Sequence, residues 1–372
     1  MKMSRQPTKL TKAPKPRPAI VSMDPYRPPS TGRGNKMRLD FNENTVGCSP
    51  VVIARMKRIK AAELAVYPEY HDALPKFAKH FKVRPDQLTL TNGTDEAIQL
   101  VVNTYAGEND TVVVLHPSYA MYRFYSQISG AKIVEVGFQS DLGFPQRDLL
   151  AAVKKRGVKA VFVANPNNPT GTLASSKQVR EILEAAPGAA VMIDEAYFEF
   201  CGQTAIPWIP KYSNLFVSRT FSKTYGLAAM RLGCLLSNSE NMAAIRKGQS
   251  PYSVNSVAVA CGLDAIQDPA YVRRYAEEAI QSRKMLCDAL DSLGWHYYPS
   301  AANFVLVHFG EHSQEIRQKF NEHDILVRDR SYEIPGSVRI TVGTLAQTRK
   351  MIQTLRKISA QLSASEKARS AR

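Results

Sequence analysis

The signatures missing from this chain narrow its chemistry before those present do. No G-x-x-x-x-G-K-[ST] segment occurs, which disfavours a P-loop nucleotide hydrolase even though one apolar run ends in the acid pair Asp194-Glu195. No G-x-G-x-x-G occurs either, so a dinucleotide-binding fold lacks its fingerprint. No apolar run approaches the roughly 20 residues that cross a bilayer. The amino terminus carries charge but no apolar core, which argues against a secretory signal. It is free of acids, as a transit peptide is, but rich in proline rather than serine. Cysteine is sparse: Cys48, Cys201, Cys234, Cys261 and Cys287 are scattered and form no C-x-x-C pair. That usage suits reduced thiols in a cytoplasm and argues against a disulfide framework or a zinc knuckle.

Negative charge is in deficit, and the location of the imbalance matters. The formal net charge is +16. Residues 1–18 hold Lys2, Arg5, Lys9, Lys12, Lys15 and Arg17 with no acid, and residues 361–372 add Lys367, Arg369 and Arg372 against Glu366. Half of the excess therefore lies in two tails whose Pro, Lys, Ser and Ala content reads as disorder. The remainder is spread thinly, as suits steering of anionic substrates. Neither zinc-finger spacing nor an aromatic RNA-binding signature accompanies it, so nucleic acid is not an expected partner.

The composition, 44% hydrophobic and 22% charged, is that of a globular chain, and 372 residues suffice for two packed cores. Residues 19–50 read as irregular, broken by Pro25, Pro28, Pro29 and Gly32. From about Leu88 onward, short apolar runs alternate with helical stretches: Thr111–His116, Lys132–Val136, Ala160–Ala164, Ala190–Asp194, Leu215–Ser218 and Leu232–Ser237 are the strands. That alternation predicts an α/β fold, a mainly parallel sheet covered by helices on both faces, with ligands at the carboxyl ends of the strands. From about Pro269 the texture changes to a smaller α+β domain: a long amphipathic helix to Leu293, then strands at Asn303–His308, Ile325–Arg328 and Val338–Val342. The expected division is a basic tail (1–18), an amino-terminal segment packing with the small domain (19–45), a large domain (46–268), a small domain (269–360) and a second tail (361–372).

The chemistry concentrates where these strands end. After Leu215–Ser218 comes a turn dense in hydroxyls that contains Lys223, with Thr220 and Ser222 before it and Arg231 eight residues after it. Two hydroxyls and a guanidinium suit a phosphate monoester dianion, and a lysine beside them would condense with an aldehyde anchored by that phosphate. A lone loop lysine would be a surface residue; this company reverses that reading. Asp194 ends its strand where a carboxylate can pair with a protonated pyridine nitrogen, and Tyr197 follows in the adjacent turn. Asn165-Pro-Asn-Asn-Pro-Thr-Gly171 is a rigid turn presenting Asn168. Gly93 and Thr94 open a helix whose free amides make an anion site. Tyr119, after another strand, offers a flat ring for stacking, although judged alone it is as readily a core tyrosine.

Together these residues resemble the fold type I pyridoxal-phosphate enzymes, and more narrowly the histidinol-phosphate aminotransferase family. The likeness runs from about Tyr26 to Arg356 and is carried by Asn92–Glu96, Asn165–Gly171, Asp194–Tyr197, Thr220–Arg231 and Arg339–Gly343. The resemblance implies a seven-stranded large-domain sheet and pyridoxal 5'-phosphate as cofactor. It implies transamination between histidinol phosphate and 2-oxoglutarate, in histidine biosynthesis. It assigns Lys223 to the cofactor aldehyde and to proton transfer, Asp194 to the pyridine nitrogen, and Asn168 and Tyr197 to the ring hydroxyl. Tyr119 would stack on the ring, and Gly93, Thr94, Thr220, Ser222 and Arg231 would hold the phosphate. Tyr67 would reach the phosphate of a neighbouring subunit, which implies a homodimer with shared sites. Arg339, Arg328 and Tyr26 would bind the substrate.

Within the same fold, an aromatic amino-acid aminotransferase and a threonine-phosphate decarboxylase are the rival readings. Thr45-Val46 stands where the family commonly has proline after Asn-Glu-Asn, a departure near the site entrance. His308-Phe-Gly-Glu-His312 has the spacing of a zinc motif, but Gly310 and the preceding strand make it a strand end entering a loop, so no metal is expected.

Overall fold

The structure, a computed structural model, describes residues 14–25 and 32–370. Its strands are β1 (Met37–Leu39), β2 (Leu88–Asn92), β3 (Thr111–His116), β4 (Lys132–Gly137), β5 (Val158–Ala164), β6 (Ala190–Asp194), β7 (Leu215–Thr220), β8 (Leu232–Leu236), β9 (His296–Tyr298), β10 (Phe304–His308), β11 (Ile325–Asp329) and β12 (Ser337–Thr341). Seven of them form one sheet in the order β2-β8-β7-β6-β5-β3-β4, in which β8 alone runs against the others.

Side-chain alternation divides the apolar strands between two cores. Val113, Val161, Val191, Ile193, Leu215 and Val217 pack on one face against Phe77 and Ile182. Their neighbours Val112, Phe162, Met192 and Phe216 pack on the other against Ile98, Val101 and Tyr122 of the helices Gly93–Tyr105 and Ala120–Ser129. Strands buried on both faces are why these runs are apolar without polar alternation.

The second sheet, β1-β11-β12-β10-β9, is antiparallel except for the β1–β11 pair. Its core joins Phe304, Val305, Val338 and Ile340 to the helices Pro269–Leu293 and Leu345–Ser370. Two sequence expectations change here. The irregular stretch 19–50 contains β1, too short for an alternation signal, which gains its place by parallel pairing with β11. The expected carboxyl-terminal tail from 361 is instead the end of the last helix, which runs to Ser370 and buries Leu362. That segment has neither glycine nor proline to break a helix, and its Ala, Arg, Leu, Gln, Glu and Lys residues are good helix formers. Of the expected amino-terminal tail, residues 1–13 lie outside the described residues, while Arg17 donates to the Ile128 carbonyl at 2.8 Å and Pro18 opens the short helix Pro18–Val21.

Candidate active site

The carboxyl ends of β2, β3, β5, β6 and β7 converge at one edge of the large sheet. Because β8 is antiparallel, its amino end lies there too and brings Arg231 beside them, with Thr220 and Gly233 in register. The small sheet faces this edge with Arg328 and Arg339, which are directly opposed partners of β11 and β12. Between the two lies a cavity of about 630 Å³ lined by Thr94, Tyr119, Asn168, Asp194, Tyr197, Thr220, Ser222, Lys223, Arg231, Arg328 and Arg339.

Asp194 is the buried anion of the cavity. Its Oδ2 accepts from the Tyr122 hydroxyl at 2.7 Å and its Oδ1 from Ser218 Oγ at 2.8 Å. Burial raises the pKa of this carboxyl, while those two donors favour its charged form. Lys223 donates from Nζ to the Phe41 carbonyl at 3.1 Å. Burial, seconded by the nearby positive charge of Arg339, lowers its pKa to about 8. An amine so tuned is neutral often enough near neutral pH to act as nucleophile or base.

Gly93 and Arg231 fit each other. Gly93 has φ +71°, and a side-chain carbon on it would collide with the Arg231 guanidinium. Only glycine lets the arginine lie against the start of this helix. Arg231 also donates to Asp95 Oδ2 at 3.3 Å, and Tyr119 donates to Asp95 Oδ1 at 2.7 Å, so one carboxylate orients both. Thr220 Oγ1 accepts from the Ser222 amide at 3.1 Å and fixes the turn before Lys223.

The Asn165–Gly171 turn is braced from within. Asn167 accepts from Ser118 Oγ at 2.6 Å and donates to the Pro117 carbonyl at 3.0 Å, which leaves Asn168 turned toward the cavity. Asn168 Oδ1 accepts from Arg339 Nη1, and Arg339 Nη2 donates to the Asp40 carbonyl at 2.7 Å. Arg339 thus rests on neutral oxygens, its Nε unpartnered, and burial lowers its pKa to about 10. A buried guanidinium with no carboxylate partner among the described residues is prepared for an incoming anion. Tyr197 accepts from Asn42 Nδ2 at 2.9 Å.

Tyr26 lies outside the described residues. Gly93 is not itself in the cavity lining and meets it through Arg231. Tyr67 is 74% exposed and stacks on Tyr252 at 4.6 Å, away from the cavity lining of its own chain. Conversely, sequence reasoning missed Tyr122, Ser218, Asn42 and Arg330. Tyr122 lies three residues after Tyr119, one helical turn on, a spacing that could have placed it beside the same ligand. Ser218 faces Asp194 because the two are register partners of β7 and β6, a pairing invisible in the chain. Arg330 lines the cavity and is paired with Glu333 in the connection between β11 and β12.

Pyridoxal phosphate fits this set of groups: an amine of lowered basicity, a buried carboxylate across from it, and a glycine cradle with an arginine and two hydroxyls for a phosphate. Nothing else among the described residues competes for a metal, since no cluster of three or more His, Cys, Asp or Glu is placed to hold one. Nor is any described helix long and apolar enough to cross a membrane.

Residues 34–355 match the family described as aminotransferase class I and II. Histidinol-phosphate aminotransferase of Geobacillus sp. strain WCH70 is 33% identical over 353 residues, covering 90% of this chain and 96% of the relative. That of Symbiobacterium thermophilum is 35% identical over 358 residues, covering 91% and 97%. The solved histidinol-phosphate aminotransferase of Sinorhizobium meliloti in complex with pyridoxal-5'-phosphate has a TM-score of 0.83 at 25% identity, covering 93% of this chain and 98% of that one.

Proposed function

We propose, on the premise that this chain belongs to the class I and II aminotransferases and within them to the histidinol-phosphate aminotransferases, that its cavity exchanges an amino group between histidinol phosphate and 2-oxoglutarate. The observation that carries this reading is the pairing of Lys223, depressed to a pKa of about 8, with a small-domain arginine, Arg339, that has no carboxylate partner among the described residues.

When bound, pyridoxal phosphate supplies the electron-accepting ring that lets a proton leave the carbon bearing the amine. Asp194, held by Tyr122 and Ser218, would hold a proton on that ring's nitrogen. Lys223 Nζ would be the base that takes the proton from the substrate carbon and holds it for return. With a pKa of about 8, roughly a tenth of this amine is neutral at pH 7, several hundredfold more than for an ordinary lysine. Tyr197 and Asn168, which line the cavity, would bind the ring hydroxyl, and Tyr119 would pack against the ring. Gly93, Thr94, Thr220, Ser222 and Arg231 hold the cofactor phosphate.

The two substrates differ in their anionic ends. Histidinol phosphate presents a phosphate and no α-carboxylate; the keto acid presents carboxylates. An arginine fork binds the oxygens of either. Arg339 and Arg328, opposed across β11 and β12, serve both half-reactions in turn, with Tyr26 as a further contact to the phosphate. Assay of the purified protein with histidinol phosphate, phenylalanine and threonine phosphate, each with 2-oxoglutarate, tests this. Fastest turnover with histidinol phosphate is expected. A preference for phenylalanine, or release of carbon dioxide from threonine phosphate, would overturn it. Arg339→Ala should raise KM for both histidinol phosphate and glutamate; unchanged constants would contradict the shared fork.

A second copy of the chain completes the site in this proposal. Val46, Val51, Ile53, Met56, Leu64, Val66 and Tyr67 are exposed together with Tyr252, an apolar concentration of the kind that marks an interface. Covering it would carry Tyr67 to the neighbouring phosphate. Sedimentation should give a dimer, and Val66→Asp should shift it toward monomer.

A further inference from the structure

Behind the active-site face, the same two strand ends carry a buried charged network that the reaction does not use. Alternation on β6 and β7 puts Asp194 and Ser218 on the cavity side and sends Glu195 and Arg219 to the opposite side. Arg219 Nε donates to Glu195 Oε2 at 2.8 Å, Nη2 donates to Thr204 Oγ1 at 3.3 Å, and Nη1 lies 3.6 Å from Glu199 Oε1. The guanidinium lies over the Phe198 ring, 3.5 Å from its centre. Glu195 also accepts from the Ala205 amide at 2.6 Å and from Thr204 Oγ1 at 2.8 Å. Glu199 Oε2 accepts from Thr224 Oγ1 at 3.2 Å, and Thr224 is the residue after Lys223.

Three members of this network adjoin a site residue in the chain. Glu195 adjoins Asp194, Arg219 lies between Ser218 and Thr220, and Thr224 adjoins Lys223. From the other side, Asn44 Nδ2 donates to the Thr224 carbonyl at 2.9 Å, and Gly226 has no room for a side chain against the Gly47 carbonyl. The Lys223 turn is therefore clamped between the amino-terminal segment and Glu199.

A buried ion pair is weak evidence for stability, because desolvation offsets most of the attraction and well-packed apolar residues often serve as well. Arg219 and Glu195 are only 7% and 1% exposed in their side chains. What such a network does supply is a fixed geometry: the planar fork of Arg219 has one arrangement that hydrogen-bonds Glu195 and Thr204 while facing Glu199, which an apolar cluster does not have. We propose that Glu195, Arg219, Glu199 and Thr224 are positioning residues that set the Lys223 turn at its working distance from Asp194. This rests on Lys223 as the cofactor lysine. Its consequence is electrostatic, since the charged groups around Lys223 (Arg339, Glu43, Arg231 and Asp95) act on it according to where its turn holds it.

The test uses full-length holoenzyme and the visible absorption of its bound cofactor, titrated with pH, beside steady-state kinetics and thermal unfolding. Thr224→Val removes the bond to Glu199 with little change of shape, and Thr224→Ser restores the hydroxyl. Thr224→Val should move the titration midpoint by about half a pH unit or more and lower kcat by about tenfold with KM within about twofold. Thr224→Ser should return both to the wild-type values. Arg219→Lys, which keeps the charge but loses the fork, should move the midpoint as well, and decides the matter if Thr224→Val does not fold. A Thr224→Val or Arg219→Lys protein whose melting temperature falls while midpoint and kcat stay at wild-type values would show a purely structural network and overturn the proposal. A wild-type protein with no visible band would instead refute the assignment of Lys223 itself.

Discussion

Tyr122 donates its phenolic hydrogen to Asp194 Oδ2 across 2.7 Å, on the floor of the cavity where both are buried. Among the described residues the carboxylate has one other side-chain donor, Ser218 at 2.8 Å. Burial works against its charge, and these two bonds work for it. The state of Asp194 therefore depends on a tyrosine of the cavity floor.

Tyr122→Phe removes that donor and keeps the ring stacked on Phe162. Loss of a hydrogen bond to the charged form raises the carboxyl pKa, so Asp194 should protonate at higher pH. The acid limb of the kcat–pH profile should move upward, with kcat at pH 7 reduced about tenfold. An acid limb at the wild-type position would show that Asp194 does not depend on Tyr122.

Gly93→Ala places a carbon where the Arg231 guanidinium lies and strains a backbone with φ +71°. The arginine must move away from the helix start. Cofactor affinity should fall by about tenfold or more, about 1.4 kcal/mol per factor of ten. Equilibrium dialysis of the cofactor measures this; affinity unchanged from wild type would remove Gly93 and Arg231 from the phosphate site.

Lys223 has a folded-state pKa of about 8 against an ordinary 10.5. Between those values the unfolded chain holds the proton and the folded apoprotein does not, so stability rises with pH through that window. Below pH 8 the charge is buried at a cost of about 3 kcal/mol, taken from the size of the shift. Lys223→Met should therefore be more stable than wild-type apoprotein at pH 7, with the difference shrinking as pH approaches 10. Denaturant unfolding at both pH values checks this. A difference that stays constant with pH would contradict the depressed pKa.

Much of the fold was legible because strands buried on both faces leave continuous apolar runs. Ala190–Asp194 and Thr111–His116 coincide with β6 and β3, and the helix Pro269–Leu293 begins and ends as read. The placements of Lys223, Asp194, Asn168 and Arg231 at one sheet edge follow from strand ends and turn chemistry, both local properties. What escaped is what depends on partners distant in the chain. β1 exists only through β11, Ser218 reaches Asp194 through strand register, and Asn42 meets Tyr197 across 155 positions. Arg330 was passed over because a loop arginine next to Glu333 looks like an ordinary surface pair until the small sheet turns both toward the cavity. The last helix was misread because its composition is as compatible with a solvated tail as with a helix that, among the described residues past Ile358, buries only Leu362.

The central claim is that Lys223 holds the cofactor, and the absorption spectrum tests it most directly. The purified protein, supplied with pyridoxal phosphate, should be yellow with a visible band that shifts when glutamate or histidinol phosphate is added. Lys223→Ala should lose that band and fall in activity by several orders of magnitude. A wild-type protein that stays colourless with added cofactor, or a Lys223→Ala protein that keeps the band, would contradict the account.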